Sequence, residues 1–91
     1  MASELRLHSY RRCPFAMRVR MVLEEKRLPY TVIEEDFDNF SQEIRELHPE
    51  VKVPLLIHEL GADKRVVLYQ STVITEYLND AFPETPLMPS D

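Results

Sequence analysis

Cys13 is the one cysteine in the chain, set in Arg11-Arg12-Cys13-Pro14-Phe15-Ala16 directly ahead of a segment with helical periodicity. The chemistry open to it is that of a thiolate nucleophile. A helix start carries unpaired backbone N–H groups and the positive end of the helix dipole, and Pro14 suits the first turn because its missing N–H is not needed there. Both effects favour negative charge on sulfur. A free thiol titrates near ~8.5, whereas thiols at helix N-termini or beside cationic side chains fall to roughly 3.5–7.5, so a good part of Cys13 is expected to be ionised at neutral pH. The alternative, a small buried hydrophobe, has no use for two preceding arginines and a following proline.

The remaining candidates are weaker. His8, His48 and His58 are scattered without metal-ligand spacing, and each is expected at the surface or at a strand end. A single unpaired cysteine rules out an intramolecular disulfide and a multi-cysteine metal site, so no metal is expected. Ninety-one residues make one small domain. A net charge of -5 argues against nucleic acid or anionic membrane as partner, since both call for a basic face. No stretch approaches the ~18 apolar residues of a membrane span, and Met1 is followed by Ala-Ser-Glu-Leu-Arg rather than a signal peptide, so a cytoplasmic location is expected. Basic residues gather in the first third of the chain. Arg20, Lys26 and Arg27 read as a solvated helix face, and the arginines around Cys13 as a positive rim for an anionic substrate.

These residues need elements to position them. Leu5 to Ser9 reads as a strand, and Pro14 to about Lys26 as a helix whose apolar stripe is Phe15, Val19, Val22 and Leu23. Tyr30 to Ile33 forms a second strand, parallel to the first if the helix is the crossover. A polar loop over Asp36 to Asn39 leads into a short helix over Ser41 to Leu47, stopped by His48-Pro49. Val53 to His58 and Arg65 to Tyr69 make a hairpin around Gly61, the one glycine. Ser71 reads as the N-cap of a last helix running to Phe82, and residues 83–91, with three prolines, as a linker. The order βαβ, α, ββα fits an α/β domain with a four-stranded mixed sheet and helices on both faces, a thioredoxin-like arrangement.

Four motifs in this order, Leu5 to Ser9, Cys13-Pro14-Phe15-Ala16-Met17-Arg18-Val19-Arg20, Val53-Pro54-Leu55-Leu56, and Gln70-Ser71 with Ile74 and Tyr77-Leu78, resemble the N-terminal domain of cytosolic glutathione transferases. The Cys-Pro-Phe-Ala motif is similar to the omega class and to glutaredoxin-like relatives. The resemblance implies a glutathione site built from those motifs. Cys13 would face the glutathione sulfur and form a mixed disulfide. The Val53-Pro54 bond would be cis, with the Val53 backbone pairing the cysteinyl part of glutathione. Gln70 and Ser71 would receive the γ-glutamyl carboxylate at a helix N-terminus, an anion site in its own right. Lys52 would reach the glycyl carboxylate or stand solvated, Arg12 joins the set beside the thiol, and Phe15 packs in the core or lines the sulfur pocket. Arg18 reads as a structural ion-pairing residue. Relatives usually carry glycine where this chain has Arg27, so a left-handed cap there would cost about 1 kcal/mol relative to glycine.

The function implied is a glutathione-dependent thiol transferase acting on glutathionylated or small electrophilic substrates, with glutathione as substrate. With Ala16 in place of a second cysteine, the redox chemistry is monothiol. Conjugation of aromatic halides is expected to be weak, and a dehydroascorbate or haloaromatic reductase would use the same cysteine. An alternative of another class is a non-catalytic interaction protein, because the segment from Glu76 to Pro89 is similar to stringent starvation protein A. The resemblance further implies continuation into an all-helical domain, so the chain is expected to be an excised piece; full-length relatives pair partly through this domain, which makes a homodimer one option and leaves the oligomeric state of this piece open.

Overall fold

A computed structural model describes residues 4–83. Seven elements follow in order: β1 (Glu4–Ser9), α1 (Pro14–Glu25), β2 (Thr31–Glu34), α2 (Gln42–Leu47), β3 (Leu55–Gly61), β4 (Lys64–Tyr69) and α3 (Ser71–Ala81). They build one sheet in the order β2-β1-β3-β4, with β1 and β2 parallel and the other two pairs antiparallel. This is the thioredoxin-like α/β fold expected from the sequence. Of the expected linker, residues 84–91 lie outside the described residues.

Strand alternation sorts the side chains into two layers. Leu5 and Leu7 of β1 and Leu56 of β3 meet Val19, Val22 and Leu23 of α1 and Ile74 and Leu78 of α3. On the opposite face Leu55 and Ile57 pack on Ile44 of α2. Each of these large side chains contributes roughly 1.5–3 kcal/mol by leaving water. The stripe on α1 differs at its first member. Ala16, wholly buried, takes the place expected for Phe15, which is 56% exposed. Residues 16, 19 and 23 follow the helical i, i+3, i+7 spacing, and Phe15 is turned off that line.

The same alternation points Arg6 and His8 at α2, and a network of charge forms there. The two ring nitrogens of His8 meet Glu35 and, at 2.7 Å, Glu43. Arg6 bridges Glu43 at 2.8 Å and Glu59 at 3.1 Å. The Ser41 amide and hydroxyl donate to Glu35 at 2.8 and 2.6 Å, while the Ser41 oxygen caps α2 by accepting from the Ile44 N–H at 3.4 Å. Burial pushes the Glu35 carboxyl up, but the Ser41 and His8 hydrogen bonds outweigh it and hold the group below the ordinary 4.5. Glu43 is lowered in the same way, burial being outweighed by Arg6 and His8. Together these contacts tie α2 to the sheet.

None of the three histidines is at the surface: His8, at the end of β1, His48 and His58 are 1%, 5% and 4% exposed. Each has a polar partner that makes burial tolerable: the carboxylates for His8, a backbone N–H for His48, and the Tyr77 hydroxyl at 2.6 Å for His58. Lys26, expected on a solvated face, is 2% exposed. It caps the C-terminus of α1, and its Nζ donates to the Phe82 carbonyl at 3.1 Å.

Candidate functional site

Cys13 is the N-cap of α1, in extended conformation, with Pro14 opening the helix. Its amide donates to the Tyr10 carbonyl at 2.8 Å, and its carbonyl accepts the Met17 N–H at 3.0 Å. The half-buried side chain makes no capping hydrogen bond. The amides of Phe15 and Ala16, in the first turn, therefore have no acceptor within the helix. The preceding loop is fixed to the end of β2 by the Arg11 N–H, which donates to Glu34 at 2.8 Å. Arg11 and Arg12 are themselves exposed.

A cleft of about 380 Å³ opens beside this helix start, within the size range of small-molecule sites. Its walls come from three separate segments. α1 supplies Phe15 and Arg18, which share a helix face at i and i+3. The segment after α2 supplies His48, Glu50, Lys52, Val53 and Pro54, and the Val53-Pro54 bond is cis. The end of β4 adds Tyr69, and the junction into α3 adds Gln70, Ser71 and Thr72.

Local geometry explains how the second wall is shaped. His48 ends α2, and its Nδ1 accepts the Glu50 N–H at 3.0 Å. The Val51 amide then donates to the His48 carbonyl at 3.1 Å, with Val51 at φ 52°, a left-handed conformation rare for a β-branched residue. The chain thereby turns Lys52 and Val53 toward the cleft, where Lys52 pairs with Glu50 at 3.4 Å. Burial pushes the His48 imidazole below its ordinary 6.5, with Glu50 pulling upward and Lys52 downward. The His48 ring lies on Tyr69, centroids 4.6 Å apart.

At the third wall the expectation for Ser71 is corrected. Gln70 is the N-cap of α3, without a side-chain cap bond, and Ser71 is the first helical residue. Gln70 holds φ 76° and ψ 125°, a strained combination for a residue with a side chain. The Gln70 carbonyl accepts the Ile74 N–H at 3.0 Å, which ties that conformation to the helix start.

Of the residues singled out from the sequence, Phe15, Lys52, Val53, Pro54, Gln70 and Ser71 line one cleft. Cys13 and Arg12 are not part of that lining, although Cys13 stands two residues before Phe15 on the same element. Phe15 is in the cleft rather than the core. Arg18, read as an ion-pairing residue, has no ion pair among the described residues and is exposed in the cleft wall. Arg18, His48, Glu50, Tyr69 and Thr72 are additions to the expected set. Tyr69 and Thr72 flank Gln70-Ser71 and could have been included by adjacency, and Arg18 by its helical spacing from Phe15. Nothing in the sequence marks His48 or Glu50, because the turn that turns them inward depends on the left-handed Val51. Among the described residues no group of His, Cys, Asp or Glu could hold a metal ion, and no helix is long and apolar enough to cross a membrane.

Comparison with known proteins follows the same outline. The family described as "Glutathione S-transferase, N-terminal domain" matches residues 7–86. Pyrimidodiazepine synthase of Drosophila melanogaster is 42% identical over 96% of this chain and 35% of its own length. The stringent starvation protein A homolog of Haemophilus ducreyi is 37% identical over 82% of this chain and 33% of its own. The crystal structure of rice GST1 (OsGSTU1) in complex with glutathione superposes with a TM-score of 0.81, at 38% identity, over 99% of this chain and 38% of that one. The chain thus spans about a third of the length of the curated relatives it matches. A match that runs from β1 to beyond α3 leaves one conclusion: the chain belongs to the family of glutathione S-transferase N-terminal domains.

Proposed function

We propose that this chain is the glutathione-binding part of a cytoplasmic, glutathione-dependent thiol transferase in which Cys13 acts as a monothiol nucleophile. The observation that carries the reading is the pairing of an uncapped thiol at the start of α1 with a cleft whose walls hold Val53, the cis Pro54, Gln70 and Ser71. Extended peptide is read by backbone in such a place, and carboxylate by a helix N-terminus. In this reading the Val53 backbone meets the cysteinyl part of glutathione, Gln70 and Ser71 take the γ-glutamyl carboxylate, and Lys52 takes the glycyl carboxylate. Phe15 walls the sulfur end, and Arg12 adds positive charge beside it.

The Cys13 thiolate attacks the glutathione sulfur of a glutathionylated disulfide, forming a Cys13–glutathione bond and releasing the substrate thiolate, which takes a proton from water. A second glutathione thiolate then attacks the glutathione sulfur of that adduct, giving glutathione disulfide and restoring Cys13. Ala16 provides no resolving thiol.

Incubation with glutathione disulfide is expected to add one glutathionyl group by intact mass, and reduced glutathione to remove it. Cys13→Ser is expected to abolish both steps while leaving the melting temperature within a few degrees. An unmodified wild-type chain would sink the catalytic reading. It would favour the non-catalytic one suggested by the stringent starvation protein A homolog, in which the fold is kept for protein contacts.

A further inference from the structure

His48 is buried, yet it belongs to the cleft wall. Its Nδ1 accepts the Glu50 N–H at 3.0 Å, so that nitrogen carries no proton, and the neutral ring holds its proton on Nε2. Among the described residues the ring's one hydrogen bond is that at Nδ1, and its Nε2–H donates to none of them. The ring is held by Tyr69 from β4 on one side and by its place at the end of α2 on the other. The one donor it has left is free for a molecule in the cleft. We propose that His48 is a ligand-positioning residue of this cleft, which in its neutral form fixes the Glu50–Lys52 turn through Nδ1 and donates Nε2–H to a carboxylate or carbonyl oxygen of a bound glutathione-type peptide.

The inference rests on the functional reading above, and it gives the cleft a pH dependence of definite sign. Protonation places a hydrogen on Nδ1 facing the Glu50 N–H, donor against donor, and the bond that holds the turn is lost. Val51, Lys52 and Val53 follow directly on that turn, so their wall is released. The charged and titratable groups around the ring are Glu50 and Lys52 from its own segment, Tyr69 from β4 and Arg18 from α1 across the cleft. Only Glu50 favours the protonated ring. Burial and Lys52 oppose it, which keeps His48 neutral at physiological pH.

The test is calorimetric titration with S-methylglutathione, whose blocked sulfur cannot form a disulfide with Cys13. Between about pH 5 and about pH 7 the ligand carboxylates stay ionised and its amine stays protonated, so the ligand contributes no slope. Wild type is expected to bind at pH 7 and to lose affinity as pH falls toward 5, within the limit of about tenfold per pH unit for one linked proton. In His48→Asn the amide oxygen replaces Nδ1 as acceptor without titrating. Its affinity at pH 7 is expected to fall about two- to tenfold, the loss of one hydrogen bond, and its pH profile to be flat. Nitrogen-edited NMR of the wild-type histidines supplies a readout that needs no variant: His48 is expected with a bare Nδ1, and with an Nε2–H whose signal moves on ligand addition. Wild-type binding that is flat with pH, an unchanged slope in His48→Asn, or the opposite tautomer would overturn the role of His48 alone. No binding at pH 7 would overturn that role and the glutathione reading together.

Discussion

Among the described residues three with side chains take left-handed backbone conformations, Arg27, Val51 and Gln70, and the one glycine takes none. At Arg27 the reason is a helix ending. The Arg27 N–H returns to the Glu24 carbonyl and the Leu28 N–H to the Leu23 carbonyl, at 3.0 and 3.1 Å, the Schellman pattern that glycine serves best. Arg27→Gly is therefore expected to stabilise the domain by about 1 kcal/mol, read as a rise of roughly 4–8 °C in melting temperature for a domain of this size. An unchanged or lower value would count against a strained cap. At this residue the sequence was readable, because helix periodicity and Pro29 locate the ending. It was not readable at Gln70 or Val51, where neither side chain advertises a positive φ. The strain at Gln70 stands in the cleft wall, where a residue held by its surroundings can be of use to a ligand, whereas that at Arg27 serves only the chain path.

Elements were easier to anticipate than residues, because each is specified by repeated spacing. The alternation of Leu5 and Leu7 along β1, the stripe on α1 and the proline after it, the β-branched run of β2, the breaker after α2, the apolar runs around Gly61 and the spacing of Ile74 and Leu78 gave all seven elements and the mixed sheet. The misplacements lie at ends: β3 begins at Leu55 rather than Val53, and α3 at Ser71 rather than after it. Both junctions carry backbone that no periodic pattern encodes, a cis peptide bond at the first and an unusual Gln70 at the second. The β3–β4 hairpin gives a cleaner case. Gly61 is paired with Lys64 beside a register shift, its φ is not left-handed, and a methyl group placed on it would meet no atom within 4 Å. Gly61→Ala should then act mainly on the unfolded chain, stabilising by about 0.4–1 kcal/mol. A thermal melt of the variant below wild type would show that the hairpin needs this glycine after all.

For the molecule as a whole, the buried titratable groups set how it meets acid. Burial lowers His48 and His58 below the ordinary 6.5. A lowered folded-state value means that the unfolded chain binds the proton first, so the stabilisation is complete above about 6.5 and is lost as pH falls through the folded values. Glu35 and Glu43, held below the ordinary 4.5, add a second loss further down. Denaturant unfolding from pH 8 to pH 3 is expected to show stability falling first in the histidine range and again in the carboxylate range. A profile flat from pH 7 to pH 5 would mean that the buried histidines accept protons without cost. Composition gave no hint of this behaviour, since three scattered histidines look alike until strand alternation and turns decide which way each faces.

The cleft is discontinuous along the chain, and synthesis has a direction. Cys13 leaves the ribosome with β1 and α1, but every other wall of the cleft lies between His48 and Thr72. At about 5–20 residues per second, the nascent thiol waits on the order of seconds before the pocket beside it can close. On the thiol transferase reading proposed above, any oxidant or disulfide near the growing chain reaches the thiol in that interval without the selection that the finished cleft would impose.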